Sequence, residues 1–174
     1  EDGWKLADHI EETPENEVLL KQVFMALDSV FSRATAVKSA AVYIHLLGEP
    51  HARLVRISAQ GESLENLLAV HEENGTVYLA CRTAQSGWMN IANDIAYWLS
   101  LDEIQGSRNK GSGSQLSIPV ATQNGTVLGV VHVEFVDKDQ ADDAAQTDWS
   151  ALALALAEPL KALAGIEDKE EEHE

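Results

Sequence analysis

Six histidines, one cysteine and a scatter of serines are the residues of this 174-residue chain that carry base, nucleophile or metal-ligand chemistry. His9, His45, His51, His71, His132 and His173 contain no His-x-His or His-x-x-x-His pair, so no metal centre is expected. His132 and Glu134 share one face of a strand at period two and could converge, although a strand histidine is ordinarily a satisfied structural group. Cys81 stands alone. It cannot close an internal disulfide or build a thiolate metal site, and reads as a small buried hydrophobe. No Gly-x-Ser-x-Gly elbow occurs, and Gly106 and Gly111 lack the lysine that would complete a phosphate loop. No nucleophile, base and orienting group stand together in the sequence, so no catalytic residue is assigned and the chain is expected not to be an enzyme.

Binding chemistry has a better address. Gly106 to Ser114 (Gly-Ser-Arg-Asn-Lys-Gly-Ser-Gly-Ser) reads as a flexible loop, and such loops close over pockets when the scaffold beneath is rigid. Candidate ligand contacts are Asn93, Asp94, Tyr97 and Trp98 before the loop, Arg108 within it, and Gln115 and Ser117 leaving it. Arg108 can grip a carboxylate or phosphate with two parallel hydrogen bonds, and Trp98 can stack on a planar ligand. Each has a plainer reading, a solvated arginine and a core-filling tryptophan.

The elements that must position these residues follow from periodicity. Thr13-Pro14 opens a helix carried by Val18, Leu19, Val23, Met25, Ala26, Val30 and Phe31, ending near Ala36. Ser39–Leu47 and Arg53–Ser58 form a hairpin, while Leu64–Val70 is ambiguous between helix and strand. Asn74-Gly75 breaks the chain, Thr76–Gln85 is a short helix stopped by Gly87, and Trp88–Asn93 is a short strand. Asp94–Ile104 is partly helical. Gln115–Thr122 and Thr126–Val136 are strands joined at Asn124-Gly125, and a last helix from Asp142 or Asp143 is kinked at Pro159. Hairpins flanked by terminal helices predict an antiparallel sheet of the α+β class.

Length and composition bound the partners. The chain is long enough for one domain, and its 12 basic against 29 acidic residues give a net charge of −17, which disfavours nucleic acid and anionic membranes. The apolar tract from Trp149 to Ile166 is broken by Glu158, Pro159 and Lys161, no signal peptide opens the chain, and a cytoplasmic location is the default. Residues 1–14 and 165–174 are expected to be acidic end segments around a domain spanning 15–164. Glu1 in place of an initiator methionine points to a processed or excised piece.

Four stretches resemble a GAF domain. They are Gly75–Ser86, Ile91-Ala92-Asn93-Asp94, Ser114-Gln115-Leu116-Ser117-Ile118-Pro119-Val120, and Asn124–Val133 with its Leu-Gly-Val-Val. The resemblance implies a GAF-like (PAS-like) central sheet of five or six antiparallel strands, terminal helices bundled on one face, and loops and short helices over the other. It also implies a sensory module that binds a small molecule of unknown identity and transmits the change through its terminal helices, as a homodimer, to a signalling partner or output domain. The alternative is a non-catalytic dimerisation or scaffold domain with a self-filled pocket. The Asn-Lys pair of cyclic-nucleotide-binding members is missing after Val133-Glu134-Phe135-Val136. Bilin attachment is disfavoured because Cys81 precedes Arg82 and not a histidine, and a single-histidine haem site has no supporting motif. Free methionine-sulfoxide reductases resemble this fold but use at least two cysteines, where this chain has one.

Overall fold

The computed structural model describes residues 5–166, so the acidic run from Glu167 to Glu174 and the first four residues lie outside the described part. Thr13 caps the first helix, α1 (Pro14–Phe31), by accepting from the Asn16 amide at 3.1 Å. That helix stops five residues short of the expected end, and after an intervening turn Ala36 (φ 62°) leads Val37 into the sheet.

Six strands follow, interleaved with short helices. β1 (Val37–Leu46), β2 (Ala52–Gly61) and β3 (Leu67–Val70) form a meander, which resolves the last four residues of the ambiguous Leu64–Val70 segment as a strand at the sheet edge. Next come α2 (Glu72–Val77), α3 (Leu79–Ser86), β4 (Asn90–Ala92) and α4 (Ile95–Ser100). Asn74-Gly75 does not break the chain but lies inside α2, whose first turn is capped by His71 Nδ1. Gly87 (φ 73°) ends α3 as expected of a left-handed cap. β5 (Ser114–Ala121) and β6 (Val127–Phe135) complete a sheet with the order β3-β2-β1-β6-β5-β4, every neighbour antiparallel.

Two helices close the fold, α5 (Asp143–Ala155) and α6 (Ala157–Leu163). The expected kink is displaced to Leu156, since the Pro159 ring excludes the carbonyl four residues back, that of Ala155. α1, α5 and α6 cover one face of the sheet, where Val23, Leu27, Trp149, Leu156 and Leu160 pack on Val42, Ile44, Leu116, Ile118, Val131, Val133 and Phe135. Gly129 lets α6 lie directly on β6, because a Cβ there would run into the Tyr43 carbonyl and the Leu160 side chain. On the opposite face α3 seals Ala41, Tyr43, Leu54, Leu68 and Val130 with Ala80, Cys81 and Ala84. Among the described residues no helix is long and apolar enough to cross a membrane.

Candidate functional site

Strand alternation builds the site. On β5 and β6 the odd and even positions part company: Leu116, Ile118, Val131, Val133 and Phe135 enter the helix-side core, while Gln115, Ser117, His132 and Glu134 face the other way. The register sets Gln115 opposite Glu134 and Ser117 opposite His132, so four polar side chains form a compact square on a buried stretch of two strands. Gln115 and Ser117 are 0 % exposed, Glu134 3 % and His132 4 %. Buried polar groups of this kind require partners.

The partners come from above. Ser107–Gly111 is a turn of 3-10 helix entered through Gly106, whose φ of 97° is open to glycine and strained for other residues. From this turn Arg108 reaches down between two carboxylates. Its Nε and Nη2 donate to Glu65 Oε2 and Oε1 at 3.1 and 2.8 Å, and Nη1 donates to Glu134 Oε2 at 2.7 Å and to Asn109 Oδ1 at 2.8 Å. The guanidinium also lies 5.6 Å from the centre of the Tyr78 ring. Glu65, on the β2–β3 connection, is fixed through its backbone carbonyl, which accepts from the buried Tyr43 hydroxyl at 2.8 Å.

Asn109 locks the turn. Its amide donates to the Val77 and Gln105 carbonyls at 2.8 and 2.7 Å, and its oxygen accepts from Gln115 Nε2 at 2.9 Å. The expectation of a flexible glycine-serine loop is therefore corrected: the segment is a turn pinned by a buried asparagine, and Arg108 and Asn109 fill the space under it. On its outer side the same turn borders an open depression of about 490 Å³ lined in part by Leu99, Ile104, Gly106 and Lys110.

Beneath Arg108 runs a second chain of hydrogen bonds. His132 Nε2 donates to Glu134 Oε2 at 2.8 Å, and Ser117 Oγ lies 2.5 Å from His132 Nδ1. With the Nε2 hydrogen directed at the carboxylate, Nδ1 faces the serine hydroxyl as its hydrogen-bond partner. Burial alone would raise the Glu134 carboxyl, but His132 first and then Arg108, each through hydrogen bonding and charge, outweigh it and hold the group down to about 2. For Arg108, burial favours the neutral form, yet the charges of Glu134 and Glu65 push its pKa further up. Gln115 is the exception to satisfaction. Its amide nitrogen is shared by Asn109 and Ser112, while Oε1 is buried with no partner among the described residues.

Of the residues chosen from sequence, Arg108, Gln115 and Ser117 meet in this nest. The other four do not. Asn93 ties the segment before α5 to the sheet edge through the Asp139 and Ala141 amides, and Asp94 caps α4 by accepting from the Tyr97 amide at 3.1 Å. Tyr97 is exposed on α4, and Trp98 packs beside Ile95 and Ile104 with the Arg82 guanidinium 5.6 Å from its ring centre. Glu65, Tyr78, Asn109 and Glu134 were not singled out as ligand contacts. His132 and Glu134 did carry a signal, as polar residues alternating with valines on a strand otherwise fully apolar. Cys81 is buried, with its thiol pushed up to about 12 by burial and then by the charge of Glu65. Among the described residues no group of three or more histidines, cysteines or acids is placed to hold a metal.

No family model and no curated protein matches the chain. Solved structures do. The type II free methionine-R-sulfoxide reductase of Thermoplasma acidophilum superposes with a TM-score of 0.71 at 14% identity, over 86% of this chain and 96% of that one. The GAF domain region of a membrane protein from Geobacter sulfurreducens PCA gives 0.68 at 15% identity, over 85% and 96%. The free methionine-R-sulfoxide reductase of Neisseria meningitidis gives 0.60 at 15%, over 90% and 96%. Enzymes thus stand beside GAF domains among the neighbours, which corrects the expectation that the chain is not an enzyme: this architecture is found in catalysts as well as in GAF domains. At these identities the likeness speaks for architecture, and on that ground the chain is an α+β domain with the GAF-like fold.

Proposed function

We propose that this chain is a sensory GAF-like module that binds a small zwitterionic metabolite of the amino-acid class in the nest beneath Ser107–Gly111. The observation that carries the reading is the buried, unpartnered Oε1 of Gln115, whose register partner Glu134 shares the Arg108 guanidinium with Glu65. An acceptor left bare in the interior costs about 1–3 kcal/mol, which a ligand N–H would recover. An ammonium group would satisfy Gln115 Oε1 and one carboxylate, while Arg108 exchanges Glu65 for the ligand's own carboxylate. Neighbours named as reductases of free methionine sulfoxide support that chemical class.

Transmission would run through the strands. Gln115, His132 and Glu134 alternate with Leu116, Val131 and Val133, whose side chains pack under α1, α5 and α6, so a shift of β5 or β6 is felt by the helices. A ligand moves that equilibrium only by preferring one helix arrangement. The readout is a homodimer through the terminal helices acting on a signalling partner in the cytoplasm. A second reading, a scaffold domain with a closed nest, is favoured by Arg108 being saturated by the chain's own carboxylates.

Calorimetry against a panel of free amino acids and their sulfoxides separates the two, with sulfoxide loss under a dithiol reductant followed in the same samples. Micromolar binding that disappears in Arg108→Ala supports the metabolite reading; a panel without heat or thermal shift leaves the scaffold. Arg108→Ala should itself destabilise the fold, since it leaves Glu134 buried with only His132. The loss belongs at the low end of the roughly 3–5 kcal/mol for a broken buried pair.

A further inference from the structure

We propose that Ser117, His132 and Glu134 form a nucleophile–base–orienter relay, and that Ser117 accepts a short acyl group from an ester. This goes beyond the metabolite reading and does not depend on it. The arrangement has the three roles acyl transfer needs: a hydroxyl 2.5 Å from an imidazole nitrogen, and the other nitrogen of that ring 2.8 Å from a carboxylate. The carboxylate fixes the tautomer, because Glu134 Oε2 is itself held by Arg108 Nη1 and so accepts from His132 Nε2. Nδ1 is thereby presented to Ser117. The relay is rigid because all three side chains project from paired positions on the two most buried strands.

Polar side chains stand beside Ser117, each already engaged within the chain. Asn90 is its register partner on β4, and the Asn90 amide donates at 2.9 Å to Thr83 Oγ1, which in turn reaches the Ser117 carbonyl at 3.4 Å. Ser117 itself is fully buried; β4 is the edge strand and Asn90 is only half-buried, so a small ester would enter by displacing that edge. With Ser117 fully buried, entry past this three-residue strand limits the acyl group to a short one.

The chemistry balances without a cofactor. Ser117 Oγ attacks the ester carbonyl carbon as its proton passes to His132 Nδ1. The tetrahedral adduct then expels the alcohol, which takes that proton, and leaves acyl-Ser117. Water, deprotonated by the same Nδ1, releases the acid and restores the serine.

The test uses 4-nitrophenyl acetate for turnover and an alkyl fluorophosphonate for covalent capture, each on the full chain, with peptide mapping of the label. The expected result is one label per chain at Ser117, absent from Ser117→Ala and from urea-unfolded protein. Glu134→Gln, which keeps the shape of the orienter, should slow capture by about 100-fold or more. Ser117→Cys with iodoacetamide reports access independently. If that cysteine is alkylated while native Ser117 stays unlabelled, the relay is inert and the proposal is overturned; if neither reacts, Ser117 is closed to substrate and the proposal is equally overturned. Label spread over other serines, or persisting in Ser117→Ala, has the same consequence.

Discussion

Glu134 sits at the junction of the two hydrogen-bond chains, and its ionisation ties the fold to pH. The carboxyl is held down to about 2 against the 4.5 usual for glutamate, by His132 and Arg108 working against burial. Its folded-state pKa is depressed, so its contribution is present in full above the unfolded value and is lost as pH falls from about 5 toward 2. The difference corresponds to about 3 kcal/mol. Unfolding free energies from urea titrations at pH 6, 4 and 3 should fall by about 2 kcal/mol over that interval in the wild type, the remainder being lost below pH 3. Glu134→Gln should start lower and show a shallower fall over the same interval. Parallel curves for the two proteins would place the acid sensitivity elsewhere. This residue illustrates what sequence could convey at the finest scale. Strand alternation places Gln115 with Ser117 and His132 with Glu134, but pairing the two sets needs the β5–β6 register. Glu65 reaches the site across 43 residues of chain, with no local pattern to announce it.

At the scale of elements, periodicity served well where a segment was long and one-sided. α1, the β1–β2 hairpin and the β5–β6 pair follow from spacing, capping and the Asn124-Gly125 turn. It served badly where tertiary contacts override composition. Gly106–Ser114 has the residues of a linker and behaves as a pinned turn, because one asparagine spends its amide donors and acceptor inside the protein. Asn74-Gly75 has the residues of a break and continues a helix. The pinned turn yields a prediction. A side chain at Gly106 would be strained at φ 97° and would press on Val77 Cγ1 at 3.0 Å, whereas one at Gly111 meets only the movable Lys38 ammonium. Gly106→Ala should cost about 1–3 kcal/mol and raise amide exchange across 107–112, with Gly111→Ala near neutral. Equal effects from the two variants would mean that the turn is not set by Gly106.

For the whole molecule, the two faces of the sheet divide the work: helices bury the larger apolar core on one side, and the polar nest lies on the other under a roof of short elements. The helical side is not fully covered by its own chain. Val18 and Met25, seven residues apart on one stripe of α1, are 55% and 69% exposed, and Leu154 on α5 is 80% exposed. Isolated apolar side chains need no explanation, but three on the helices that pack together are what the proposed homodimer would bury. A chain of charge −17 repels its copy, so association should tighten as salt screens that repulsion. Sedimentation equilibrium at 50 and 500 mM sodium chloride should show the dimer constant strengthening with salt. Met25→Glu combined with Leu154→Glu should yield a monomer that melts like the wild-type monomer. A wild-type chain still monomeric at high micromolar concentration in 500 mM salt would rule out the homodimer, and the helices would then have to meet a partner of different sequence.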